Sequence, residues 1–281
     1  MPKIDDWILP KLSGVEPGIY PDITNEAYHS GAGLSKSDLD RIHRSPAHFR
    51  ASCEVVEGET SEALIMGSAF HCAVLEPERF EKEYTVAPVF NRRTKAGKQA
   101  HDEWIAENGT KSPLTTEQMV IVRKMRESVM ANTIARKLVE MTQHETSIYA
   151  DFDGVLCKCR PDGWSPEENL LIDLKSAKDA SMSGFSKAVA VGRYHVQDAW
   201  YRAVIERLTG ERQEAFYFVA CEKEPPFAMA IYQLDPIAQD AGYRSAMEDL
   251  ETFRHAVETG NWGAYPRNIQ SLSLPRWAFG A

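Results

Sequence analysis

Hydrophobic residues recur at helical spacing in the first half of the chain and at strand spacing beyond about residue 145. Ala63, Leu64, Ala69, Phe70, Ala73 and Val74 give a mostly apolar, small-residue face to a helix over 60–76. Met119, Val122, Met125 and Val129 predict one long helix from 116 to about 141. Upstream, Ser35 or Ser37 is the candidate cap of a helix through Leu39, Ile42 and His43 that stops at Ser45-Pro46. Residues 1–30 are rich in turn formers (Pro10, Gly14, Pro17, Gly18, Pro21) and read as an arm lying on the body.

The period then changes. Residues 146–152 and 155–159 flank Asp153-Gly154, a hairpin turn signal. A short apolar strand follows at 170–174. Helical spacing returns over 193–208, with Val196, Trp200, Ala203, Val204 and Leu208 on one side. Two strands, 215–220 and 228–234, are joined across Glu224-Pro225-Pro226, and Asp235-Pro236 opens a last helix ending near Gly260. The order is helices, then β-β-β-α-β-β, then a helix, which predicts an α/β or α+β fold around a central mixed sheet. With no repeat or linker in the pattern, residues 1–281 read as a single domain whose sheet core covers about 145–235.

Composition narrows the setting. The chain has 281 residues, long enough to bury a substantial core, with 43% hydrophobic and 26% charged residues. No apolar run approaches the roughly 20 residues that span a bilayer. The N-terminal MPKIDDWILPKLSG lacks the pattern of a signal peptide. Five cysteines without a disulfide framework fit a reducing cytoplasm. A net charge of −9 works against nucleic-acid binding unless positive charge is concentrated and metal neutralises carboxylates. One stretch is concentrated: Arg92, Arg93, Lys95 and Lys98 lie in Asn91–Lys98 without an acid, as a solvated loop or a nucleic-acid contact. It is not a phosphate-cradling P-loop, because Arg92 and Gln99 stand where that motif needs Gly and Ser/Thr.

The candidate chemistry centres on 160–175. Asp173 and Lys175, two apart on a strand, point to one face, while Leu174 points to the other and anchors the strand. Asp162, just after the hairpin, can be brought alongside Asp173 by a neighbouring strand. Two such carboxylates repel unless a cation sits between them, and an oxygen-rich set suits Mg²⁺ or Mn²⁺ rather than Zn²⁺. A lysine beside them can orient an attacking water and offset charge on a phosphorane-like transition state. Read alone, Asp173 and Lys175 are more simply a surface ion pair. Gln197 and Tyr201, four apart, share a helix face distinct from the Trp200/Val204 side, with Asp198 and Arg202 as solvent-facing neighbours. His71 interrupts an apolar helix, where a satisfied core histidine is the plainer reading. Glu145 heads the first hairpin strand, where an exposed ion pair is the plainer reading.

Together these segments resemble the PD-(D/E)xK nuclease superfamily, with its restriction-endonuclease-like core. Within it they look like the exodeoxyribonuclease VIII (RecE)-like branch, related to lambda exonuclease and the RecB nuclease domain. The resemblance rests on GIYPDITNEAYH at 18–29, GLSKSDLD at 33–40, MGSAFHCAVLEP at 66–77, RPDG at 160–163, IDLK at 172–175 and QDAWY at 197–201. It implies that Asp162, Asp173 and the Leu174 carbonyl bind one or two Mg²⁺ ions, with Mn²⁺ as a substitute and His71 as a further ligand. It implies that Lys175 acts on the nucleophilic water and that Gln197 and Tyr201 complete the site. Glu145 stands where relatives often carry an acid. Ser35 and Ser37, with Arg41 or Arg44, fall where relatives bind a 5′-phosphate.

The implied activity is exonucleolytic degradation of one strand of linear duplex DNA from its 5′ end, giving 5′-mononucleotides and a 3′ overhang. The implied partners are duplex DNA ends, a single-strand annealing protein in a phage or prophage recombination system, and further copies of the chain in a toroidal trimer or tetramer. A basic lumen, with Arg92–Lys98 as candidate contacts, coexists in such a ring with an acidic exterior. An internally cutting endonuclease and a non-catalytic DNA-end-binding loader are the alternatives. Cys53, Cys72, Cys157, Cys159 and Cys221 lack the iron–sulfur spacing of some relatives, so no cluster is expected.

Overall fold

Side-chain caps fix where helices begin in the computed structural model, which describes residues 7–12, 14–54, 62–91, 93–275 and 278. The N-terminal third carries α1 (Leu9–Leu12), β1 (Gly18–Tyr20), α2 (Asn25–Ser30), α3 (Lys36–Arg44) and α4 (Pro46–Glu54). Thr24 caps α2. Ser35 and Asp38 form a reciprocal capping box at α3. Then come α5 (Glu62–Leu75), α6 (Pro77–Glu83), β2 (Tyr84–Val86), α7 (Lys95–Asn108), β3 (Ser112–Leu114), α8 (Thr116–Ala131) and α9 (Thr133–Glu140). The single long helix expected over 116–141 is therefore two. The Asn132 side chain accepts the N–H groups of Ile134 and Ala135 and starts α9, so a local cap competes with helix continuation.

The sheet region follows as β4 (Gln143–His144), β5 (Ser147–Phe152), β6 (Val155–Cys159), β7 (Gly163–Ser165), β8 (Leu170–Ala177), α10 (Met182–Val191), α11 (Tyr194–Thr209), β9 (Ala215–Glu222), β10 (Met229–Tyr232) and α12 (Pro236–Thr259). The expected hairpin is β5–β6, but it does not join the central sheet. It pairs with β1 in a three-stranded sheet, while the five-stranded sheet runs β10-β9-β8-β7-β4. Two helices, α10 and α11, rather than one, occupy the crossover between the parallel strands β8 and β9. Such a crossover is what parallel pairing requires. The other pairings in the sheet are antiparallel, so the sheet is mixed, as expected.

Strand β8 is the axis of the molecule. Leu170, Ile172 and Leu174 pack with Phe70 of α5 and with Met125 and Leu138 of α8 and α9. Leu171 faces the other way, into a core with Trp200 and Val204 of α11, Leu250 and Phe253 of α12, and Cys157 of the hairpin. Apolar cover on both faces explains why the strand reads as a nearly continuous hydrophobic run. Helices α11 and α12 touch closely at Gly242, where a Cβ would lie 2.0 Å from the His195 carbonyl oxygen. No helix among the described residues is long and apolar enough to cross a membrane.

Candidate active site

The one charged pair in β8 lies on its α11 side. The Lys175 ammonium is 2.5 Å from Asp173 Oδ1 and donates to Gln197 Oε1 at 2.9 Å. Gln197 Nε2 donates in turn to Asp173 Oδ2 at 2.5 Å. Asp173 and Gln197 are almost fully buried. The pair is thus a closed three-residue arrangement inside the protein, not a surface ion pair. Tyr201, one turn further along α11, packs against Phe216 and lines the same cavity.

Asp162 reaches β8 because it immediately precedes β7, which pairs antiparallel with that strand. A Cβ on Gly163 would sit 2.6 Å from Ile172 Cγ1 and 2.4 Å from Thr142 Oγ1, so only glycine fits in this register. The Asp162 carboxylate then accepts the Leu174 N–H at 2.6 Å and stands 3.1 Å from His71 Nε2. That nitrogen is also 2.8 Å from the Leu174 carbonyl oxygen, while His71 Nδ1 is 2.8 Å from the Gly67 carbonyl. A proton on Nδ1 toward Gly67 leaves the Nε2 lone pair facing a carboxylate and a carbonyl oxygen. Three lone-pair donors crowded on one point need either a second ring proton or a cation.

Electrostatics follow from this crowding. Burial works against charge on His71, but the adjacent Asp162 carboxylate outweighs it and raises the pKa to about 9. Burial likewise opposes ionisation of Asp162, and the His71 charge overrides it, lowering the carboxyl pKa. For Asp173 burial dominates, and the pKa rises to about 6 despite Lys175, with Asp162 adding to the rise. Lys175 is held charged: burial opposes, and the Asp173 and Asp162 carboxylates more than compensate.

The fit to a divalent cation is specific in part. His71 Nε2, the Asp162 carboxylate and the Leu174 carbonyl converge, a nitrogen-and-oxygen set suited to Mg²⁺ or Mn²⁺. Asp173 faces Lys175 and Gln197, and among the described residues no three His, Cys, Asp or Glu side chains form a ready cage. The residues lie at the floor of an open cavity of about 430 Å³. Glu145 also lines it, with its backbone at φ 53°. Burial, together with the nearby Asp162 charge, raises its carboxyl pKa to about 7. It is an acid of the cavity, not an exposed pair.

Other expected residues lie elsewhere. The Ser35 hydroxyl donates to Asp38 within the capping box, and Arg41 pairs with Asp38 at 2.9 Å. Ser37 and Arg44 are exposed, and none of the four lines the cavity. Arg93, Lys95 and Lys98 are exposed at and near the start of α7, and Arg92 lies outside the described residues. Asp198, expected to face solvent, is instead fully buried against Arg202, which also donates to the Gln213 carbonyl.

Sequence reasoning missed two cations that fasten the arm to the site. From β6, the Lys158 ammonium donates to the Tyr28 and Gly31 carbonyls at 2.5 and 2.9 Å. Arg160 donates to the Ile23 carbonyl at 2.6 Å and to Ser147, and lies over the Tyr28 ring. The segment so held brings Asn25, Tyr28 and His29 to the cavity wall. The alternation of Lys158 and Arg160 on one strand face was the available signal.

A family model, the PDDEXK-like domain of unknown function (DUF3799), matches residues 35–275. The chain belongs to this family. The matched span includes Asp162, Asp173 and Lys175, which line the cavity. Within the PDDEXK-like fold, a candidate exonuclease from Eubacterium rectale is similar in structure. Its TM-score is 0.60 at 13% identity, over 95% of this chain and 99% of that one. A phage-related exonuclease from Haemophilus somnus 129PT aligns with a TM-score of 0.32 at 12% identity, over 60% of this chain and 85% of that one. An alkaline exonuclease from Laribacter hongkongensis aligns with a TM-score of 0.28 at 14% identity, over 59% and 84%. No curated protein matches the chain.

Proposed function

We propose that this PDDEXK-like protein is a Mg²⁺-dependent exodeoxyribonuclease that degrades one strand of linear duplex DNA from its 5′ end. The products are 5′-mononucleotides and a 3′ single-stranded overhang. The observation that carries the reading is the convergence of His71, Asp162 and the Leu174 carbonyl beside a lysine locked by Asp173 and Gln197.

His71, Asp162 and the Leu174 carbonyl, with Asp173 adjoining, would hold the divalent cation. When bound, that cation supplies Lewis-acid stabilisation of phosphodiester oxygens and lowers the pKa of water. Asp173 and Gln197 keep the Lys175 ammonium at the cavity floor, where it offsets charge on the attacked phosphate. Glu145, with its carboxyl pKa near neutrality, accepts or returns a proton at the cavity wall. The arm residues Asn25, Tyr28 and His29 form part of the cavity wall.

The 5′→3′ polarity, the annealing-protein partner and a toroidal assembly belong to the same reading. Polarity and partner are supported by the segment resemblances alone; the ring is favoured also by the net charge of −9, since it confines cationic DNA contacts to an inner face. Linear duplex labelled at either 5′ or 3′ termini, and closed circular plasmid, test it. Early release of the 5′ label from linear DNA with the circle intact is expected. Rapid linearisation of the circle contradicts end dependence and favours the endonuclease.

A further inference from the structure

The Lys175 ammonium has a third neighbour that the metal-and-carboxylate picture does not use. It lies over the Tyr194 ring, 4.5 Å from the centroid. Tyr194 opens α11 and is itself tightly seated. Its ring stacks on Phe218 with centroids 6.0 Å apart and planes inclined at 27°, and it lies 6.1 Å from Phe185. On another side is Gly192, where a Cβ would come within 2.5 Å of the Tyr194 ring. The glycine is thus a space the ring occupies.

The turn that delivers Tyr194 is fastened by two helices, α3 and α12. Arg193 adopts a left-handed backbone, φ 50°, as the residue that starts α11. Its guanidinium donates to Asp40 of α3 at 2.9 Å and to Asp249 and Ser245 of α12 at 2.5 and 2.8 Å. Lys36 donates to the Gly192 carbonyl at 2.7 Å. The close contact of Gly242 with the His195 carbonyl fixes α12 against the same turn. A strained non-glycine conformation held by this many partners is over-determined, which is how sites of fixed geometry are built.

We propose that Tyr194 is a positioning residue that holds the Lys175 ammonium against its π face, so that Asp173, Gln197 and the ring close three sides of the ammonium and leave it open to the cavity. An aromatic face attracts a cation without competing for its N–H donors, and the attraction grows when the pair is shielded from water. The phosphate then meets a lysine whose side chain is already ordered, which spares the cost of ordering it during reaction. This inference rests on the nuclease reading for its effect on rate, and on the geometry alone for its effect on the lysine.

Two measurements on the full chain separate these. The Lys175 CεH₂ resonance, assigned with Lys175→Arg, is expected to be shifted upfield by the ring current in the wild type and in Tyr194→Phe, and to return to the ordinary position in Tyr194→Leu. An unshifted resonance in the wild type overturns the placement. In Mg²⁺-dependent cleavage of linear duplex, Tyr194→Phe is expected to match the wild type, while Tyr194→Leu loses roughly 5- to 30-fold in kcat with DNA affinity unchanged. Because leucine also disturbs packing, phenylalanines carrying one, two and three fluorines at position 194 supply the decisive series. They change ring charge with little change in volume, and kcat is expected to fall stepwise. A flat series with an active wild type overturns the role of Tyr194 alone. A wild type inert with every divalent metal overturns the nuclease reading, and the role in cleavage with it.

Discussion

Gln197 touches both members of the Asp173–Lys175 pair, accepting from the ammonium at 2.9 Å and donating to the carboxylate at 2.5 Å. An amide is suited to this because it carries both a donor and an acceptor. Gln197→Glu keeps the size but removes the donor and adds a like charge beside Asp173. It should lower kcat by about 10²-fold or more, as loss of a fixed polar contact in a dry site does, while DNA-end affinity changes little. Steady-state kinetics alongside an equilibrium binding titration check this.

The His71–Asp162 contact predicts the metal dependence. A chelator should stop nucleotide release, and added Mg²⁺ or Mn²⁺ should restore it. His71→Ala should weaken Mn²⁺ binding, measured calorimetrically, by at least the about 10- to 100-fold that loss of a mere supporting partner costs. Equal Mn²⁺ affinity in the variant removes His71 from the ligand set.

The Ile172 and Thr142 side chains fill the space beside Gly163 in β7. Gly163→Val places a branched side chain where a single Cβ already meets Ile172 and Thr142 at 2.6 and 2.4 Å. Overpacking of this kind costs about 1–3 kcal/mol. Urea denaturation should show that loss, and cleavage should fall further than stability because Asp162 moves with the strand.

Lys158 predicts a pH dependence of stability. Burial lowers its pKa in the folded protein from 10.5 to about 7, with Lys11 and Arg160 adding to the effect and Asp38 opposing it. Between these values the unfolded lysine binds a proton that the folded one lacks, so this group makes stability rise with pH from about 7 to about 10.5. His71, whose pKa is raised to about 9, gives the opposite slope below that pH, so the test is a difference. Denaturation midpoints of the wild type should gain on those of Lys158→Met as the pH rises from about 7 to about 10.5, the variant leaving the Tyr28 and Gly31 carbonyls without their donor.

Much of the site was readable from residue order because it sits on β8. An apolar run broken by Asp173 and Lys175 marks a buried polar site once Asp162, His71 and Gln197 fall in place around it. The family match and the mixed sheet bear out that reading of fold and superfamily. Features that depend on contacts between distant segments were not readable. The burial of Asp198 requires Arg202 and the Gln213 carbonyl to arrive together, and the seating of the arm requires Lys158 and Arg160 to meet backbone carbonyls rather than acids. The break at Asn132 was legible in principle, since asparagine favours caps, but the apolar period runs across it and outweighed the signal. Helix α10 was passed over because its short sequence, Met182–Val191, has apolar residues without a clear polar face.

The central claim is that Lys175, locked by Asp173 and Gln197 beside the His71–Asp162 cluster, acts on a phosphodiester rather than stabilising the fold. The most direct measurement is nucleotide release from 5′-phosphorylated linear duplex with Mg²⁺, comparing the wild type with Lys175→Ala while end binding is followed by fluorescence anisotropy. Release by the wild type, lost by about 10³-fold in the variant with end binding intact, is the expected result. End binding without release by the wild type, in Mg²⁺ or Mn²⁺, contradicts the account and leaves a DNA-end-binding module in its place.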